Sequence, residues 1–169
     1  MAQQKAVIKI PKAYGPLERR AIADKIIDKI IKRTQSGEDI NNKKFNSDSS
    51  YSKAYKNSKE FSIGGKTSKI DLTLSGEMLN ALEPLRSRSG SITVGIPKDD
   101  KRNNDKAEGN QKGTYGNKRP VTKPRKFIGL SQNDLDSILK KFPVESSLEK
   151  AARLVAARQA ARALAEGDL

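Results

Sequence analysis

A stripe of isoleucines near the start of the chain constrains the fold more than any other feature. Leu17, Ile22, Ala23, Ile26, Ile27, Ile30 and Ile31 recur at helical spacing, and Arg19, Arg20, Asp24, Lys25, Asp28, Lys29 and Lys32 fill the opposite face. This is the pattern of an amphipathic helix. Gly15-Pro16 opens it, because proline suits a first helical turn. The pattern fades near Arg33–Gln35, and Gly37 supplies the stop. The stripe reads as a core face that needs a partner surface, not as a binding face.

The strand signals supply that partner. Residues 6–10 are β-prone and end at Pro11, which predicts a short extended arm or an edge strand. Ile70, Leu72 and Leu74 alternate with Asp71, Thr73 and Ser75, a half-buried strand. A short helix is expected over Glu77–Leu85, using Met78, Leu79, Leu82 and Leu85, with Pro84 limiting its end. After a turn at Ser87–Gly90, Ile92, Val94 and Ile96 alternate again up to Pro97. These two strands bracket a helix, so they need not form a simple hairpin. Phe127, Ile128 and Leu130 predict a third strand, and Ser131 caps a helix to about Lys141. The fold class is therefore α+β: a small antiparallel sheet packed by the long N-terminal helix.

That core is small for the length. Of 169 residues, 34% are hydrophobic and 5% aromatic, whereas apolar residues usually approach half of a compact domain. Long polar loops are expected, some of them gaining order only against a partner. Residues 36–68 are such a stretch, with the aromatics Phe45, Tyr51, Tyr55 and Phe61 as anchors to the chain's own core or to a neighbour. Residues 98–126 hold ten Lys or Arg against four acids and read as a flexible basic loop. Its Lys112, Lys118, Arg119 and Lys123 are candidates to face DNA or an acidic partner.

Residues 1–142 form one α+β domain with an extended N-terminal arm, and residues 143–169 form a C-terminal extension. Ser146-Ser147 caps a last helix, to about Ala165, that carries Leu148, Leu154 and Val155 among many alanines. An alanine-rich helix forms readily but buries little area per residue. It reads either as an arm docked on a neighbouring subunit or as a peripheral helix of its own domain.

The catalytic inventory is poor. The chain has no Cys and no His, which removes thiol nucleophiles, disulfides, imidazole bases and nearly every zinc site. Gly64-Gly65-Lys66-Thr67 lacks the earlier glycine of a phosphate-binding loop and leads into an expected strand. Asp99-Asp100 and Asp134/Asp136 sit on surface-type segments, unlike paired catalytic carboxylates on the walls of a cleft. No enzyme activity, cofactor or metal is expected. No apolar run approaches the roughly 18 residues that span a bilayer, and the N-terminus lacks the apolar core of a signal peptide. The formal charge of +14 attracts polyanions, acidic protein surfaces or anionic lipid. Contact with DNA by charge alone is salt-sensitive and sequence-independent.

Four segments, taken in order, carry a family resemblance. They are the helix ending Ile30-Ile31-Lys32-Arg33-Thr34; the polar stretch with Phe45 and Tyr51-Ser52-Lys53-Ala54-Tyr55; Ile70 through Leu79 with its Ser75-Gly76 turn; and Lys106–Gly113 leading to Pro124-Arg125-Lys126-Phe127-Ile128-Gly129-Leu130-Ser131. Together they resemble the virion-morphogenesis, or tail-completion, proteins that join tail to head in long-tailed bacteriophages. The resemblance spans about residues 16–140. Glu108-Gly109 stands where relatives often carry His-Asn, and the helix after Pro143 lies beyond the resemblance.

The resemblance implies a structural virion protein, made in the host cytoplasm and placed in the neck of the particle. Such proteins form a ring, commonly a hexamer, that completes the tail and lets it join the filled head. The implied partners are copies of itself, the tail tube or terminator protein and the head-tail connector, with non-specific contact to genomic DNA open to the basic loops and no membrane. The expected interface residues are Tyr51, Tyr55, Arg125, Phe127, Ile128, Leu130, Leu148, Leu154 and Val155. The rival readings are a head-completion or adaptor layer of the connector and a basic DNA-binding accessory protein.

Overall fold

Alternation in the first strand decides how the sheet is built. In Lys5–Lys9 (β1), Ala6 and Ile8 turn inward while Lys5, Val7 and Lys9 are exposed. The computed structural model describes residues 2–45, 56–63, 72, 76–114, 123–144 and 155–159. After β1 come α1 (Pro16–Gln35), α2 (Lys59–Ile63), α3 (Glu77–Asn80), β2 (Glu83–Arg88), β3 (Ser91–Gly95), α4 (Lys101–Lys112) and α5 (Gln132–Leu139). The protein is mixed helix and strand, with a three-stranded antiparallel sheet ordered β1-β3-β2.

β1 is an edge strand, paired from Lys5 opposite Gly95 to Lys9 opposite Ser91. Its N-terminal neighbours are tied down as well. Gln4 accepts from the Ile96 N–H and donates its own N–H to Asn104 Oδ1 at 2.7 Å. The stripe of α1 buries Ile22, Ala23, Ile26, Ile27 and Ile30, and α1 contacts β2, β3 and α5. Glu18 reaches back to the Gly15 N–H at its start, and Ser36 caps its end. One core joins Ile8, Ile22, Ile26, Ile30, Leu79, Ile92, Val94 and Phe127. Phe45 packs against that core, so this loop aromatic anchors its own chain. Tyr14 donates its hydroxyl to Phe142 O at 2.8 Å, and burial, with Glu18 nearby, pushes its pKa up.

Three features depart from the sequence reading. The helix expected over Glu77–Leu85 stops at Asn80, and Pro84 and Leu85 lie in β2. β2 and β3 are a hairpin closed by Ser89 and Gly90, and Pro84 is tolerated because β2 is an edge strand. The stretch 98–126 is not a plain loop, since α4 occupies its first half. Asp100 caps that helix by accepting from the Asn103 N–H, and Asn104, Ala107 and Asn110 are its buried residues along with Gly109.

Third, Phe127, Ile128 and Leu130 form no strand. Their backbone partners are side chains and a loop, so no ladder forms; the third strand of the sheet is β1. The strand expected at Ile70–Leu74 falls mostly outside the described residues. Leu72, its one described member, has φ of 54°, which no strand residue adopts.

Gly95 is where two backbones come closest. A Cβ there would lie 2.4 Å from Gln4 O and 2.7 Å from Lys5 Cα. Gly95→Ala is expected to destabilise the protein by about 1–3 kcal/mol, the usual cost of overpacking. The melting temperature should fall by about 2–4 °C per kcal/mol for a chain of this size. Thermal unfolding checks this, and hydrogen exchange should quicken first at the β1 amides. A variant that melts like the parent would show that β1 does not pack so closely on β3.

Candidate functional site

Arg33, near the end of α1, carries its guanidinium into the interior, where it is 3% exposed. Its Nη2 donates to Phe127 O at 2.7 Å and to Gly129 O at 3.0 Å. Gly129, with φ of 143°, takes a backbone conformation that L side chains rarely adopt, and its carbonyl meets the same nitrogen as that of Phe127. Nη1 lies 3.9 Å from Asp134 Oδ2, an ion pair without a hydrogen bond.

Asp134 belongs to the first turn of α5 and gathers the rest of the cluster. Lys29, one turn before Arg33, reaches its Oδ1 at 2.9 Å. Asn42 donates to its Oδ2 at 3.0 Å, and the Ser131 hydroxyl donates to the same oxygen at 2.9 Å. Ser131 in turn caps α5 by accepting from the Asp134 N–H. Burial pulls the Asp134 carboxyl upward, but Lys29, Asn42 and Ser131 outweigh it and hold the group below the usual carboxylate range. Burial lowers the Arg33 pKa, against the opposing pull of Asp134, Asp39 and Glu38.

α4 holds the same segment from the other side. Asn110 O accepts from the Arg125 N–H at 2.8 Å, and Gln111 Oε1 accepts from the Phe127 N–H at 3.0 Å. Asn110 is itself fixed by donating to Lys106 O at 2.9 Å. The Ile40 N–H donates to Lys126 O at 3.0 Å. Thus α1, the loop after it and α4 each supply polar partners to residues 125–129, and Phe127 is fully buried between them.

The residues singled out from sequence fall into three groups. Arg125, Phe127 and Ile128 are interior, at 3%, 0% and 7% exposure, and Leu130 is half-buried against the core. Their work in this chain is to close its own fold. Val155, Lys112 and Lys123 are exposed; residues 155–159 are helical, and Lys112 pairs with Glu108 on α4. Tyr51, Tyr55, Leu148, Leu154, Lys118 and Arg119 lie outside the described residues.

Sequence reasoning missed Arg33, Asn104, Asn110 and Asp134. The signal for Arg33 was available: a cation at the edge of the isoleucine stripe, one turn after Lys29.

The cluster's one buried carboxylate is spent on Lys29, Arg33, Asn42 and the α5 cap. Among the described residues no group of three or more acidic, His or Cys side chains is placed to hold a metal. None of the described helices is long and apolar enough to cross a membrane. A shallow pocket of about 280 Å³ beside the start of α4 is lined by Ala2, Gln3, Lys98, Lys101 and Asn104. Asp100 already caps that helix end, and its Asn103 bonds hold the carboxyl below its usual pKa, so a negative group stands where an anion would bind. Comparison with protein-family models, curated proteins and solved structures finds no match to this chain.

Replacing Arg33 with Met should leave two buried carbonyls without a donor and cost about 3–5 kcal/mol, as for a broken buried ion pair. The pH dependence follows from Asp134. Its folded-state pKa lies below the unfolded value of about 3.9, so its contribution is complete above that pH and is lost as acid is added below it. Asp134→Asn should therefore be less stable at neutral pH and lose less on acidification. Denaturant melts of both proteins from neutral pH down through this window measure the difference. Parallel curves would remove Asp134 from the acid response.

Proposed function

We propose that this chain is a structural subunit of the neck of a long-tailed bacteriophage particle. In this reading it forms a ring that completes the tail and joins it to the head connector, and it catalyses no reaction. The carrying observation is the meeting of two segments of the family resemblance. Arg33, in the helix-ending Ile30–Thr34 piece, donates to the carbonyls of Phe127 and Gly129 in the Pro124–Ser131 piece. The two pieces lie over 90 residues apart in sequence, and one buried guanidinium ties them together. Lys106–Gly113, the polar lead-in to the second piece, supplies Asn110 and Gln111 to the same cluster. Three parts of the resemblance therefore act as one structural unit.

The finer architecture belongs to the same proposal. The long first helix covers the sheet, residues 1–142 form the body of the subunit, and residues 143–169 form an arm that docks on a neighbour. Val155 and its exposed helical surroundings belong to that arm, with Leu148 and Leu154. A polar-laced body with few apolar side chains suits a subunit held by its neighbours.

A phage lacking this gene product tests the reading. The expected result is filled heads and finished-length tails that fail to join, with joining restored by adding the purified protein. Particles purified from the parent phage should contain the chain in ring-like copy number. Heads that leak their DNA before any tail attaches would move the protein to a head-completion or adaptor layer. Normal infectious particles without the chain would remove it from the neck altogether.

A further inference from the structure

The outer face of the sheet is built differently from the inner one. Ile8, Ile92 and Val94 point into the core, and Ser87, opposite Ile92, accepts from Arg19 of α1. The alternate residues point away. On β1 these are Lys5, Val7 and Lys9; on β3 they are Ser91, Thr93 and Gly95; on β2 they are Glu83, Arg86 and Arg88. The register aligns them in rows: Lys5, Gly95 and Glu83; Val7, Thr93 and Arg86; Lys9, Ser91 and Arg88. Lys12 lies across the Ser89–Gly90 turn at the end of the last row.

Two basic edges thus flank a central strand of short side chains. Outer strands of a three-stranded sheet sit about 10 Å apart, and Lys5 and Lys9 are about 13 Å apart along β1. Lys5, Lys9, Arg86 and Arg88 are exposed, and none takes part in an ion pair among the described residues. Several cations elsewhere do have acidic partners. Arg102 and Lys106 pair with Glu77, Lys112 with Glu108, and Lys29 and Arg33 with Asp134. Glu83 is the one acid on this face. No described helix makes its main contacts on this side, since α1 meets the sheet through its inner residues.

We infer that this face is a binding surface for the sugar-phosphate backbone of double-stranded DNA. The phosphates of one strand run along β3, with lysines on one side, arginines on the other, and the Ser91 and Thr93 hydroxyls as donors beneath. An acidic protein is the poorer partner. Protein interfaces centre on aromatic and apolar residues and are depleted in Lys, whereas this face offers only Val7. The face carries no aromatic side chain to stack on bases, so the surface is assigned to phosphate contact, which is sequence-independent. Duplex RNA is read through 2′-hydroxyls in its shallow groove, and the short Ser91 and Thr93 do not project past the flanking cations. The surface uses other residues than Lys112, Lys118, Arg119 and Lys123, singled out in the sequence, and it does not depend on the neck reading.

Fluorescence anisotropy of the full-length protein with a labelled mixed-sequence DNA duplex tests the inference, read as log affinity against log salt between about 50 and 200 mM. The parent should bind with a negative slope of about 0.9 per phosphate contacted, and Lys9→Gln/Arg88→Gln should flatten it by about 2 units. These side chains are exposed, and circular dichroism verifies the fold. Lys140→Gln/Lys141→Gln removes the same charge beyond α5 and should leave the slope nearly unchanged. The inference is overturned by equal flattening in that control, by no salt-dependent binding in the parent, by tighter binding of an RNA duplex, or by equal binding of poly-glutamate. Duplex binding by a protein that never enters particles would support this surface and remove the neck role.

Discussion

The described body depends on one buried guanidinium. Arg33 sits where α1, the 125–129 segment and α5 converge, and its two bonds to backbone carbonyls substitute for a strand pairing. A buried charge of this kind is tolerated only when its desolvation is offset by an opposite charge and by hydrogen bonds. Asp134 gives the first and the carbonyls of Phe127 and Gly129 give the second. Because Asp134 also receives Ser131, Asn42 and Lys29, the start of α5 and the loop after α1 are fixed by the same cluster. Arg33 and Asp134 are the buried members, so removing either leaves the other with fewer partners away from water.

This explains how a chain with few apolar side chains closes a core. Isoleucine and valine make up most of the one apolar cluster, and polar side chains do the work elsewhere. Asn104 joins the start of α4 to the N-terminus, accepting from the Gln4 N–H and donating to Pro97 O and Asp100 O. Asn110 and Gln111 join the end of α4 to the segment that leads into Phe127. Such bonds are directional, where apolar contact is not, and so they select one arrangement of a segment that has little hydrophobic drive of its own.

The legibility of the fold followed the apolar pattern. α1 was readable because its isoleucines keep helical phase from Ile22 to Ile31, and its bounds fall where proline and glycine place them, although Leu17, counted in the stripe by its spacing, is exposed. β3 and α5 were readable for similar reasons: strict alternation in one, a serine cap before an apolar face in the other. β2 was misread because Leu79, Leu82 and Leu85 keep helical spacing across a real boundary, so a three-residue period continues where the backbone has become extended. α4 was invisible as a structured element because only Ala107 gives it an apolar inward residue. Its buried face is made of asparagine and glycine, which local propensity assigns to loops. The Arg33 cluster was hidden for a related reason. A hydropathy pattern can say that a side chain is charged, but not that a carbonyl over ninety residues away will meet it.

The same economy bears on how this body meets other molecules. Its large exposed apolar side chains among the described residues, Val7, Leu17, Ile63, Val144 and Val155, come one at a time from separate segments of the chain. A subunit contact built on the described body would therefore be polar and wet, with charged pairs and bridging water setting its register. Contacts of that kind are specific but individually weak, and they gain strength when many identical copies engage at once. A closed ring supplies that multiplicity by symmetry, since every copy offers the same surface to its neighbour. The internal design and the proposed assembly thus follow from one constraint: too little apolar surface to rely on burial, and enough well-placed polar groups to rely on geometry.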